Sequence, residues 1–173
     1  PFAFFGHSVG ALVAFTLTRT LRRRGAPLPL QLFLSGYAAP ELAKQAASMH
    51  QLDDAALMES ITSLGLIDAD VAAHPELIEL IVPPIRADFV MAETHRLESG
   101  RPLMVPITAM GGDSDHIVAP DDLLGWAAQT EAGFTNRVFP GGHFYTQSAR
   151  TELLGEIESR LQTELDALPK SVL

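Results

Sequence analysis

The pentapeptide Gly6-His7-Ser8-Val9-Gly10 constrains this 173-residue chain more than any other feature. It follows the apolar run PFAFF and opens a stretch in which Val13, Leu17 and Leu21 recur every fourth residue. A serine with a glycine two positions away on each side, set between a strand-like run and a helical pattern, is the G-x-S-x-G nucleophile elbow in the context it requires. The reason is steric. The serine sits on a sharp strand-to-helix turn, where a side chain at either glycine position would collide with the neighbouring backbone. Ser8 is thereby thrust out at the end of its strand. The helix beginning there aims its first amide groups and its positive dipole end at charge developing on a substrate oxygen, with the Val9 N–H as the expected oxyanion donor. A plain helix N-cap would not need glycine on both sides of Ser8.

A nucleophilic serine needs a base and an acid, and in this arrangement they follow in the order Ser, Asp or Glu, His. Four brief apolar runs ended by Gly, Pro or Asp read as buried strands: residues 2–5, 30–34, 104–110 and 134–139. Helical patterns separate them. One runs from Ser8 to Gly25 with Arg22, Arg23 and Arg24 in its last turn; another covers 120–130; a last carries Leu153, Ile157, Leu161 and Leu165 on one stripe. Strands alternating with helices predict an α/β fold with a parallel sheet and crossover helices. Asp115 comes just after the third strand, in GGDSDHIV, and His143 just after the fourth, in FPGGHF. Strand ends are where such groups converge.

Position separates the competing residues. Asp113 lies two residues before Asp115, and Asp121 and Asp122 are candidate N-caps; Asp115 is preferred because GGDSD makes the turn first and its second acid begins the next segment. Among six histidines, His50 and His74 fall in a helical insertion, His95 near its end, His116 beside the acid and His7 beside the nucleophile. His143 combines flanking glycines with the required order. The three arginines at 22–24 lie about 20 Å or more along the helix axis from Ser8 and complement the helix's negative end.

Residues from about 40 to 98 break the strand-helix rhythm. They contain ELAKQAASMHQL, DDAALMESITSL and PELIELIV but no convincing strand, and predict an all-helical insertion, either a lid over the site or simply part of the core. Apolar residues make up 47% of the chain, enough for a real core, so a disordered chain is excluded. With 12 Lys and Arg against 21 Asp and Glu, the net charge of -9 opposes a nucleic-acid role. No run reaches the ~18 apolar residues of a membrane helix, so no membrane role is expected. The absence of cysteine removes thiolate metal sites and a cysteine nucleophile and fits a cytoplasmic setting. Neither H-E-x-x-H nor a P-loop occurs, so no metal and no cofactor is expected. The chain starts at Pro1 with its first strand already under way, which predicts that 1–173 is the C-terminal portion of one larger α/β domain whose N-terminal strands are missing here.

The chain also resembles a family, the type II (external, editing) thioesterases of the α/β-hydrolase fold that accompany polyketide synthases and nonribosomal peptide synthetases. The resemblance spans nearly the whole chain and rests on FFGHSVGALVAF, LFLSGYAAP, PELIELIVPPIRADFVMAETHR, PLMVPITAMGGDSDHIV, LLGWAAQT and FTNRVFPGGHFY. It implies a catalytic triad of Ser8, Asp115 and His143, and a substrate held as an acyl thioester on the phosphopantetheine arm of an acyl or peptidyl carrier protein. The second oxyanion donor of this fold comes from a loop upstream of the nucleophile strand, and that loop is not in this chain. Leu80, Ile85, Phe89 and Met91 of the insertion would line the acyl channel. One departure is Tyr37, in SGYAAP, where such enzymes usually show an arginine. The rival expectations are a general carboxylesterase, a fatty acyl-carrier-protein thioesterase, or a catalytically incomplete fragment that only docks carrier domains.

Overall fold

The structure is a computed structural model that describes residues 1–39, 48–67, 69–96 and 100–169, with backbone alone at 69, 72 and 75. In chain order its elements are β1 (Phe4–His7), α1 (Val9–Arg23), β2 (Leu32–Ser35), α2 (Asp54–Ser63), α3 (Ala69–Ala72), α4 (Pro75–Thr94), β3 (Ile107–Gly112), β4 (Phe134–Phe139), α5 (Tyr145–Ser148) and α6 (Arg150–Asp166). Short 3₁₀ segments lie at Met49–Gln51 and Pro120–Gln129. The chain forms two compact units, one from Pro1–Leu42 with Glu98–Leu173, the other from Ala43–Leu97.

The first unit is built on a four-stranded sheet in the order β1-β2-β3-β4, every neighbouring pair parallel. This is the α/β architecture that the alternating pattern predicts. Three strands begin and end a little later than their apolar runs, with β1 continuing through Gly6 to His7, β2 to Ser35 and β3 through Gly111 and Gly112. Hydropathy marks the buried middle of a strand, whereas pairing continues through small residues to the strand's end. β2 and β3 are buried throughout, as parallel strands covered on both faces must be.

Helix α1 departs from the expected stripe. Val13 and Leu17 are exposed (43% and 42%), and the buried face is Ala11, Leu12, Ala14, Phe15 and Thr18. The helix is apolar over much of its circumference, so four-residue spacing alone does not select the face. Small side chains at 11 and 14 suit close approach, and Phe15 meets Trp126 edge-on at 5.0 Å. Trp126 is fully buried and its indole N–H donates to the Tyr37 carbonyl at 2.7 Å. The Arg22 guanidinium donates to the carbonyls of Arg101 and Pro102, both at 2.8 Å. The pattern at 120–130 is a 3₁₀ segment instead of the expected α-helix. The stripe of α6 holds: Leu153 joins Phe33, Met110, Phe139, Tyr145 and Ala149 in a core cluster, with Ile157 and Leu161 against it.

The second unit is wholly helical among its described residues. Its core is Met49, Leu57, Met58, Ile61 and Val82. The predicted stretch PELIELIV is only the first part of α4, which continues through Pro83 and Pro84 to Thr94. Those prolines leave the carbonyls of Glu79 and Leu80 without their helical donors. Residues 79, 80, 83 and 84 are all exposed, so water can serve them. Of the expected helix at 41–52, residues 41–47 lie outside the described residues, as do 98 and 99 of the expected turn. No helix of the described residues is long and apolar enough to cross a membrane.

Candidate active site

Ser8 is the single non-glycine residue with positive φ among the described residues, at φ 54° and ψ -128°. Such a conformation costs about 1–3 kcal/mol and persists only where the surroundings impose it. Here they do. The Ser8 N–H donates to the Ser35 carbonyl at the end of β2 (2.8 Å), and the Ser8 carbonyl accepts from Ala11 N–H (2.8 Å). Gly6 is required by the same turn, because a Cβ there would lie 2.1 Å from the Gly10 carbonyl oxygen, but a Cβ on Gly10 would meet nothing within 4 Å, so the collision expected at the second glycine does not occur. The Ser8 hydroxyl makes no capping hydrogen bond to α1. Val9 opens that helix, so its N–H is one of the four that an α-helix leaves without an internal partner.

The acid and the base are brought together directly. Asp115 Oδ2 lies 2.8 Å from His143 Nδ1, and Asp115 Oδ1 accepts from the N–H groups of Ile117 (2.8 Å) and Val118 (3.2 Å). Both residues are buried, each only 7% exposed. Burial pushes the Asp115 carboxyl up, but the hydrogen bond and charge of His143 and the two backbone N–H groups outweigh it and hold the carboxyl below its usual value. An ionised carboxylate only accepts, so Nδ1 of His143 carries the proton and Nε2 presents a lone pair. Nε2 is buried and has no hydrogen-bond partner among the described residues.

Asp113 does a different job from Asp115. Its carboxylate accepts from Gly141 N–H (3.0 Å) and from the Ser114 hydroxyl (2.7 Å), bracing the turn that carries His143. The Gly141 hydrogen bond is the main reason that its own carboxyl is lowered. Asp113 N–H donates to Phe139 O (2.9 Å) and Ser114 N–H to Gly141 O (3.0 Å), so the turns after β3 and β4 are laced together through backbone. A Cβ on Gly112 would fall 2.2 Å from Gly141 O. Asp121 and Asp122 stand in the first turn of the 3₁₀ segment.

The other histidines lie elsewhere, except one. His116 is exposed beside the acid, and His50 is paired with Glu93 in the helical unit. His74 and His95 flank α4. His7, however, packs its ring against that of His143, with centroids 4.9 Å apart. Its Nδ1 is 2.8 Å from the Ser35 hydroxyl, which is 2.6 Å from the Tyr145 hydroxyl. Sequence reasoning gave no role to Ser35, Tyr145 or the His7 ring. The available signal was a serine closing the apolar run LFLS at the very strand end where the site forms.

Of the four insertion residues expected to line a channel, Ile85 and Phe89 pack against the core of their own helical unit. Leu80 is 71% exposed and Met91 39%. Among the described residues no three His, Asp or Glu side chains gather as metal ligands would.

A nucleophile elbow on β1, with an Asp–His pair carried on the turns after β3 and β4, can be set beside known proteins. The family profile described as thioesterase domain matches residues 1–161. The chain is 34% identical over 154 residues to the gramicidin S biosynthesis protein GrsT of Aneurinibacillus migulanus, covering 89% of this chain and 60% of that protein. It is 36% identical over 159 residues to thioesterase PikA5 of Streptomyces venezuelae, covering 92% and 56%. Among solved structures, the RedJ thioesterase of the prodiginine biosynthetic pathway in Streptomyces coelicolor is 39% identical with a TM-score of 0.82, covering 94% of this chain and 63% of that one. The chain thus spans less than two thirds of these relatives' length. Over nearly all of its own length, fold and sequence agree: the chain belongs to the thioesterase domain family, of the α/β-hydrolase type.

Proposed function

We propose that this protein is a serine thioesterase that hydrolyses acyl groups held as thioesters on the phosphopantetheine arm of an acyl or peptidyl carrier protein, clearing stalled or wrongly primed carriers. The observation that carries the chemistry is the Asp115–His143 hydrogen bond of 2.8 Å, which leaves the buried Nε2 of the base unpaired on the same rim of the sheet as the strained Ser8. The biosynthetic settings of GrsT and RedJ support the carrier-bound substrate class.

In this mechanism Nε2 of His143 takes the Ser8 proton as the hydroxyl attacks the thioester carbonyl, and the Val9 N–H donates to the oxyanion. Asp115 fixes the tautomer of His143 and stabilises its charged form. Collapse expels the pantetheine thiol, which needs less acid assistance than an amine would. Water activated by His143 then releases the free acid and restores Ser8. Leu80 and Met91, exposed on α4, are the apolar side chains we assign to the acyl chain. No cofactor is assigned a role.

The test compares release from acyl-carrier and acyl-pantetheine thioesters with release from matched oxygen esters. Faster thioester turnover, abolished in Ser8→Ala, is the expected result. Preference for the oxygen ester would instead assign a carboxylesterase. Equal background rates for wild type and Ser8→Ala would leave carrier docking without catalysis.

A further inference from the structure

Two buried side chains, Tyr145 and Ser35, and the half-buried His7 form a chain beside the candidate base that the mechanism above does not use. Tyr145 is fully buried, stacked on Phe139 at 5.2 Å, and burial is the main reason that its hydroxyl is pushed up to about 12. It therefore keeps its proton at neutral pH. The one hydrogen-bond partner of that hydroxyl among the described residues is the Ser35 hydroxyl; either oxygen can donate across this contact, and we assign Tyr145 as the donor because its proton has no other acceptor there. Ser35, also fully buried, then donates its own proton to Nδ1 of His7. An imidazole that accepts at Nδ1 and is uncharged carries its proton on Nε2. In this direction the Tyr145 proton is satisfied, and the Nε2–H of His7 is buried without a partner among the described residues.

The His7 ring held in this way is part of the wall of the site. It lies against His143 at 4.9 Å with the ring planes tilted by 44°, and both rings converge on Gly36 at φ +60°. A Cβ on Gly36 would stand 2.8 Å from Cε1 of His7 and 3.2 Å from Cε1 of His143, so the backbone closes over both rings. Phe144 approaches the His7 ring at 6.0 Å. The ionisable groups facing His7 are His143 and Tyr145 from the segment after β4 and Asp115 from the turn after β3. Burial first, and the charge of His143 second, outweigh Asp115 and bring His7 down to about 4.

We propose that His7 is a positioning residue for the reaction: Tyr145, through Ser35, holds its ring uncharged and in a single tautomer against His143, which fixes the orientation of the base and leaves Nε2 of His143 as the proton acceptor. A charged His7 in this place would oppose the protonated His143 on which the transition state depends. The inference rests on the reading of His143 as the base.

The test uses the full chain with 15N-labelled histidine. Nuclear magnetic resonance should find His7 neutral, with Nδ1 unprotonated, from about pH 5 to about pH 8, the range in which an ordinary histidine titrates. Tyr145→Phe should release the ring, so that His7 loses its single-tautomer signature or begins to titrate in that range. In the same variant kcat should fall about tenfold, the scale of one lost buried hydrogen bond, with KM within about twofold. A second ionisation should appear on the acid side of the kcat/KM profile. If Tyr145→Phe does not fold, Ser35→Ala removes the same link and should give the same signature. His7 titrating as an ordinary histidine in the wild type would overturn the proposal, as would variants that leave its tautomer, kcat and pH profile unchanged. Absence of thioester hydrolysis by the wild type would refute the functional reading instead, and the resonance experiment needs no activity, so the two failures remain distinguishable.

Discussion

Each of the two units is tied internally by different means. In the sheet-bearing unit, the turns that carry Ser8, Asp115 and His143 are tied by backbone hydrogen bonds and by glycines packed so closely that no side chain fits at Gly6 or Gly112. In the helical unit the corresponding ties come from side chains. Glu93 accepts from Met49 N–H at 2.8 Å and pairs with His50, while Arg86 donates to the carbonyls of His50 (2.7 Å) and Leu52 (2.5 Å) and to Asp54 (2.7 Å). Chemistry that fails when a group moves by about an ångström is mounted on backbone. A helical unit with an exposed Leu80 and two prolines inside its longest helix tolerates looser control. Substitutions in the first unit should therefore abolish chemistry or folding, and those in the second should alter stability moderately and substrate preference more.

The largest effects on that comparison belong to the proposed triad of Ser8, Asp115 and His143. Ser8→Ala should lower kcat/KM by about 10⁴-fold or more, and Asp115→Asn by about 10⁴-fold because the His143 tautomer is no longer imposed, each with the fold retained by circular dichroism. A loss under tenfold in either would break the assignment. Next comes Gly112→Ala, whose Cβ would meet the Gly141 carbonyl at 2.2 Å. It should cost roughly 3–5 kcal/mol in urea unfolding, or prevent folding, although it removes no functional group. In the helical unit, Glu93→Ala leaves Met49 N–H without its acceptor and should cost about 1–3 kcal/mol while changing kcat for a short acyl substrate by less than a factor of about three. Smallest of all, Leu80→Ser should leave stability within about 0.5 kcal/mol and raise KM selectively for long acyl chains. A pH titration sharpens the contrast. Because His7 is lowered from 6.5 to about 4, the unfolded chain binds the extra proton first, so stability is fully present above about pH 6.5 and declines as pH falls toward 4.

Much of the first unit is legible in the sequence because its punctuation is physical. Gly6 and Gly10 announce the elbow, although only Gly6 is sterically required there, whereas the close approach of Gly112 to Gly141 is a tertiary fact that the sequence does not show. Asp115 was separable from Asp113 because only the second acid lies beyond the turn. The buried face of α1 was not legible, since a helix apolar nearly all round offers the same spacing to two faces. Likewise the 3₁₀ form of Pro120–Gln129 depends on tertiary packing that places Leu123 and Trp126 in the core. The link from Tyr145 through Ser35 to His7 joins residues on three separate elements, and no local pattern marks it. That Ile85 and Phe89 pack, partly buried, against the core of the helical unit was not legible for a related reason: an apolar residue in an insertion reads the same whether it faces a core or a substrate.

The most direct test of the central claim is intact-protein mass spectrometry on chain quenched in acid during turnover of an acyl-pantetheine thioester. We expect an adduct of one acyl group, mapped by fragmentation to Ser8 within Phe5–Gly10 and missing from Ser8→Ala. Turnover at the wild-type rate by Ser8→Ala, or an adduct mapped to any other residue, would contradict the account.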